Sequence, residues 1–196
     1  DGYLQAVRDI CTRHNVLLLT DEIQTGLGRT GKVLAAHWED VRADMVTIGK
    51  ALSGGFYPVS AVLADSHIMD VLKPGDHGST FGGNPLGAAI AREALAVLTD
   101  EGMFDNAQQM GDYLMSRLHQ LNSPHIKEVR GRGLLIGVEL HASAGGARRF
   151  CEALLQEGLL CKETHDNVIR FAPPLIITRE EIDWALDRIA PVLMMD

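Results

Sequence analysis

Two short apolar runs constrain this chain more than any other feature. Val16-Leu17-Leu18-Leu19-Thr20 leads into Asp21, and Met45-Val46-Thr47-Ile48 leads through Gly49 into Lys50. Neither run alternates polar with apolar residues, which is the pattern of strands buried on both faces of a parallel sheet. Between them lie a Gly-rich turn and the segment 34–40, enough chain for a crossover. The two strands would therefore present a carboxylate and a lysine near their carboxyl ends, the edge at which open α/β sheets bind ligands.

Each residue alone has an ordinary reading. Lys50 reads as a surface lysine in a loop, and Asp21 as a strand-end cap or a helix N-cap. A lysine at a buried strand end is nonetheless costly to desolvate, and desolvation lowers its pKa toward a neutral amine able to form a Schiff base. Pyridoxal phosphate (PLP) needs both groups at one place, a lysine for its aldehyde and a carboxylate for its pyridinium nitrogen.

Composition excludes several other classes. The 196 residues allow one domain or two small ones, and 46% hydrophobic residues suffice for a packed core. A net charge of −8 with no Lys/Arg cluster argues against a nucleic-acid partner. No apolar stretch approaches a membrane span, and Asp1-Gly2-Tyr3 has no signal-peptide character. Three cysteines without metal-like spacing read as reduced thiols, so a cytoplasmic location is expected. The eight histidines are scattered, and no H-E-x-x-H, C-x-x-C or G-x-S-x-G occurs, so no metal site is expected.

Periodicity supplies the remaining elements. Leu4, Val7, Ile10 and Cys11 have helical spacing, and 59–63 is a third strand. Asn84-Pro85 reads as N-cap and first helical residue, with Leu86, Ile90, Ala94, Val97 and Leu98 on a core face. Met103, Ala107, Met110, Leu114, Leu118 and Leu121 form a second apolar stripe. Further on, strands are expected over 126–130, 134–140, 159–162 and 167–171, with a helix marked by Ala147, Phe150, Cys151, Leu154 and Leu155 and ended by Gly158. Thr178 and Glu181 form a capping box before a helix with core face Ile182, Leu186, Ile189 and Leu193. The expected architecture is an α/β region over 1–100 and a small α+β domain over 101–196.

Gly26-Leu27-Gly28-Arg29-Thr30-Gly31-Lys32 fits G-x-G-x-x-G and the first seven places of a P-loop. Val33 follows where a P-loop needs a hydroxyl, and Asp21 to Thr25 separate the strand from the first glycine. A nucleotide-binding protein is thus a distant alternative, and the glycines are expected to shape a loop beside the cofactor.

Asp21-Glu22-Ile23-Gln24-Thr25-Gly26, Gly49-Lys50-Ala51-Leu52-Ser53-Gly54-Gly55 and Gly78-Ser79-Thr80-Phe81-Gly82-Gly83-Asn84-Pro85-Leu86, in that order, resemble a class III aminotransferase of the fold-type I PLP family. Lys162-Glu163-Thr164-His165 before Arg170-Phe171-Ala172-Pro173-Pro174 is similar to the members acting on ornithine. The resemblance implies part of a large PLP-binding domain with a mostly parallel sheet, followed by a small α+β domain. It implies Lys50 as the cofactor lysine and Asp21 as the partner of the pyridinium nitrogen. Gln24 would face the cofactor's 3′-oxygen, and Thr80, with a weaker claim for Ser79, the phosphate of the partner subunit's cofactor in a homodimer or larger assembly. Arg170 would bind a substrate carboxylate. The ordinary readings are a solvent-facing amide for Gln24, a turn for Ser79 and Thr80, and an internal ion pair for Arg170. Arg130 and Arg132, flanking glycines, read as structural.

The implied reaction moves the δ-amino group of ornithine to a 2-oxo acid, with acetylornithine or 4-aminobutyrate as the alternative amine donor. Members of the family are longer. The chain is expected to correspond to their C-terminal part, without the phosphate-binding Gly/Ser/Thr loop and the aromatic residue that stacks on the cofactor, and to be inactive alone.

Overall fold

The computed structural model describes residues 2–195. Their contacts form two compact units. One runs to Gly28 and resumes over Lys32–Gly102; the other comprises Arg29–Gly31 and the chain from Met103 onward.

In the first unit, helix α1 (Tyr3–Arg13) precedes strand β1 (Leu19–Asp21), strand β2 (Met45–Ile48) and strand β3 (Ala61–Ala64). A single turn, α2 (Ser66–Met69), and the long helix α3 (Pro85–Asp100) follow. β1 and β2 are parallel with Asp21 opposite Thr47, so their carboxyl ends share one edge. β2 and β3 are antiparallel, which makes this sheet mixed rather than mostly parallel. The reason lies in the connection. Segment 49–60 holds only a 3-10 turn at Lys50–Ser53, too little for the crossover that a parallel pairing requires.

β1 is also shorter than its apolar run. Val16 and Leu17 lie ahead of it, both 55% exposed. Asp44 secures this end. Its Oδ2 accepts from Leu18 N–H at 2.7 Å and from Arg8 Nη1 at 2.7 Å, tying α1 to the start of both strands. The Asn84 side chain accepts from Gly87 N–H with Pro85 in the first turn, as the sequence predicts. The expected core face of α3 is only partly covered. Leu98 packs against the small cluster of Leu27, Ile48 and Leu52, whereas Leu86 and Val97 are exposed.

The second unit is better packed. Helix α4 (Met103–His119), strands β4 (Ile126–Arg132) and β5 (Leu135–Leu140), helix α5 (Arg148–Gln156), strands β6 (Lys162–Thr164) and β7 (Val168–Phe171) and helix α6 (Arg179–Val192) build it. The sheet order is β4-β5-β7-β6, antiparallel throughout. Ile136, Val138 and Leu140 alternate along β5 and face Leu114 and Leu118 of α4, Phe150 and Leu154 of α5, and Ile182, Leu186 and Ile189 of α6 in one core. Leu155, expected to join them, is exposed. The capping box is present: Thr178 Oγ1 accepts from Glu181 N–H at 3.2 Å and Glu181 Oε2 from Thr178 N–H at 2.9 Å.

Cys11, Cys151 and Cys161 are free thiols. No helix among the described residues is long and apolar enough to cross a membrane.

Candidate active site

The parallel register of β1 and β2 builds the site in the first unit. Asp21 closes β1 opposite Thr47, and Lys50 follows two residues after β2 ends, so both lie at one sheet edge. Asp21 Oδ1 accepts from Ile23 N–H at 3.0 Å and from Thr47 Oγ1 at 3.2 Å. Those bonds fix the carboxylate and leave Oδ2 with no hydrogen bond among the described residues. An acceptor of that kind suits a protonated ring nitrogen.

Lys50 adopts φ 45°, a left-handed conformation that costs a non-glycine residue roughly 1–2 kcal/mol. Such strain gathers at ligand sites. Lys50 also lines a cleft of about 980 Å³ with Ser53, Tyr57, Ser60, Ser79 and Asn84. Asp21, Gln24 and Thr80 are not among the cleft's lining residues. Lys50 is exposed, as are Asp21 and Gln24. The desolvation that the sequence argument gave Lys50 is therefore not provided by this chain's own residues.

Ser79 Oγ accepts from Gly82 N–H at 2.9 Å, which is turn chemistry. Thr80 is exposed in the same loop. Arg170 belongs to the second unit, in the middle of β7. Its backbone partners are Gly137 on β5 and Lys162 on β6, and its Nε is buried without a hydrogen-bond partner. No described carboxylate pairs with it. Arg130 is structural, bridging Glu128 at 2.7 Å and Glu139 at 2.5 Å.

Glu22 is the residue that sequence reasoning passed over. It is a buried carboxylate whose oxygens accept from Ala35 N–H at 3.0 Å, from Ala36 N–H at 2.9 Å and from the Thr25 hydroxyl. It caps the 3-10 turn Ala35–Trp38 and so closes the loop that begins at Asp21. A glutamate amid turn residues gave no periodic signal to find it by.

The Gly-rich segment is not a phosphate loop. Gly26 N–H donates to Glu22 O, Leu27 N–H to Val33 O and Gly28 N–H to Lys32 O. Lys32 Nζ donates to His37 O at 3.0 Å and lies 4.6 Å from the Trp38 ring centroid. The amides of Gly26, Leu27 and Gly28 and the lysine are thus spent within the loop, and Arg29–Gly31 group with the second unit. No cluster of metal-ligating side chains occurs among the described residues.

The chain belongs to the class-III aminotransferases, whose family pattern it matches over residues 1–193. That family uses PLP. The chain is similar to ornithine aminotransferase 2 of Staphylococcus aureus, 58% identical over 192 residues, 98% of this chain and 48% of the relative. Among solved structures it is similar to the Toxoplasma gondii ornithine aminotransferase, which shows partial occupancy of PLP at its active site in the presence of oxidised glutathione. The TM-score there is 0.95 at 47% identity, covering 98% of this chain and 46% of that one. An acetylornithine aminotransferase from Elizabethkingia anophelis gives a TM-score of 0.92 at 47% identity, with 98% and 51% covered. The chain spans about half the length of the curated relatives it matches.

Proposed function

We propose that this chain is the C-terminal part of a PLP-dependent ornithine aminotransferase, with residues 1–100 from its cofactor-binding domain and 101–196 its small domain. The whole enzyme transfers the δ-amino group of ornithine to 2-oxoglutarate, giving glutamate 5-semialdehyde and glutamate. The observation that carries this reading is the parallel β1–β2 register, which puts Asp21 and Lys50 at one strand edge.

Bound PLP supplies an electron sink for the substrate carbon that loses its proton. Lys50 Nζ would hold the cofactor's aldehyde and, when free, would serve as general base and acid toward the reacting carbon. Asp21 would accept the ring N–H and keep that nitrogen protonated, its carboxylate held in place by the Thr47 hydroxyl and Ile23 N–H. Gln24, in the turn after β1, serves the 3′-oxygen side. Thr80, and less directly Ser79, serves the cofactor phosphate of the partner subunit in a homodimer. Arg170 binds a carboxylate of the amino-acid or 2-oxo-acid substrate; its Nε has no hydrogen-bond partner within this chain. Free thiols suit a reducing, cytoplasmic setting.

The test is a donor comparison in the full-length enzyme. Ornithine yields a semialdehyde that cyclises to pyrroline carboxylate, whereas N-acetylornithine and 4-aminobutyrate do not. Faster turnover of either alternative donor overturns the ornithine assignment. Borohydride trapping followed by peptide mapping separately checks the anchor. The pyridoxyl group belongs on Lys50, and label on Lys32 or Lys73 refutes that role.

A further inference from the structure

The Gly-rich segment has a use once its phosphate-loop reading is gone. Arg29, Thr30 and Gly31 belong to the second unit, where their backbone meets the β4–β5 turn. Leu134 N–H donates to Arg29 O at 3.0 Å. A Cβ on Gly133 would fall 2.5 Å from Thr30 C and 2.7 Å from Gly31 N, so the two backbones touch with no side chain between them. Arg29 turns its charge inward from this contact. Its Nη1 donates to Pro173 O at 2.6 Å and to Leu134 O at 3.2 Å.

Those two carbonyls lie at one end of the strand pair that carries Arg170. Leu134 immediately precedes β5, whose Gly137 lies opposite Arg170; Pro173 lies two residues beyond the end of β7. Gly137 offers no side chain against Arg170, and Lys162 on its other flank is a like charge. We propose that Arg29 is a positioning residue for Arg170. It ties the adjoining ends of β5 and β7 through their carbonyls and holds a second positive charge within electrostatic reach of the Arg170 guanidinium, which is thereby oriented for a substrate carboxylate. The proposal rests on the reading of Arg170 as the carboxylate binder.

Burial lowers the Arg29 pKa, and the Arg170 charge lowers it further, which places the two guanidinium groups within electrostatic reach. An arriving carboxylate relieves that repulsion, so binding of the anion is favoured over binding of a neutral analogue. Arg29 itself is not a catalytic residue, because its Nη1 is occupied by the backbone oxygens of Leu134 and Pro173.

The test is a double-mutant cycle in the full-length holoenzyme with Arg29→Met, Arg29→Lys, Arg170→Lys and Arg29→Met/Arg170→Lys. The readouts are the inhibition constant of glutarate, an unreactive dicarboxylate, KM and kcat for 2-oxoglutarate, and the melting temperature. Arg29→Met is expected to weaken glutarate about tenfold, to raise KM more than it lowers kcat, and to add little in the Arg170→Lys background. Arg29→Lys, which keeps a charge and one carbonyl bond, should recover part of the loss. Unchanged glutarate binding in Arg170→Lys defeats the underlying reading of Arg170. A normal Arg170→Lys effect with unchanged binding in Arg29→Met, or with fully additive losses, defeats the positioning role alone. Failure of both Arg29 variants to fold assigns Arg29 to the scaffold and also defeats it.

Discussion

Gly111→Ala sets two well-known effects against each other, and the structure decides between them. Gly111 lies in the middle of α4, where alanine is ordinarily favoured by roughly 0.5–1 kcal/mol. A Cβ built there falls 2.1 Å from Gly133 O, 2.3 Å from Gly133 C and 2.6 Å from Gly133 Cα. Comfortable carbon contacts lie at about 3.5–4.0 Å, so helix and turn must separate by an ångström or more. The turn has no room to retreat, because Gly133 (φ +51°) already abuts the Thr30–Gly31 backbone on its other side. Overpacking of this kind costs about 1–3 kcal/mol and reaches the upper end against backbone atoms. The net expectation is a loss of about 2 kcal/mol. Amide hydrogen exchange on the intact protein is the assay, since it isolates this element from the rest of a multidomain chain. Protection of amides in α4 and the β4–β5 turn should fall about 30-fold. Gly78→Ala, whose Cβ meets nothing within 4 Å, should leave them unchanged. Equal or greater protection in Gly111→Ala would refute the close-approach argument and return the position to simple helix propensity.

Three further outcomes follow from individual side chains. The pKa of Asp44 is held below the ordinary carboxylate value, first by Leu18 N–H and then by Arg8. Its stabilisation is therefore fully present above the unfolded value of about 3.9 and is lost as pH falls through the lower folded value, so Asp44→Asn should flatten the acid limb of a stability–pH curve; an unchanged limb removes Asp44 from that role. Thr178→Ala breaks the capping box and should lower stability by about 1 kcal/mol in urea melts, with no change expected only if Glu181 capped alone. Asp21→Asn should keep the fold but lose orders of magnitude in turnover, and near-normal transamination would refute its pairing with the ring nitrogen.

The second unit was legible in sequence because its signals are local and its core is complete. Leu114, Leu118, Ile182, Leu186 and Ile189 are spaced for helices and meet a sheet within the same unit, so periodicity and burial agree. The strand pair behind Asp21 and Lys50 was legible for another reason: two apolar runs joined by a crossover admit few topologies. The direction of β3 was not, since an apolar run carries no mark of parallel or antiparallel pairing. Glu22 and Arg29 were missed because their partners are backbone groups distant in sequence, Ala35 and Ala36 for one, Leu134 and Pro173 for the other.

The one physical expectation that failed at the site itself concerns Lys50. A buried strand end predicts a desolvated lysine, and Lys50 is exposed. The same unit leaves Val16, Leu17, Leu63 and Leu86 exposed on residues patterned for burial. These are one observation rather than two. Apolar runs that read as two-sided core need covering on both faces, and this chain covers them in part. Whatever surface completes that burial would also dry the strand edge, and drying acts most on the ammonium group because charge is what low dielectric penalises. The geometry of the site, meaning the register, the anchored carboxylate and the left-handed lysine, is thus set within these residues.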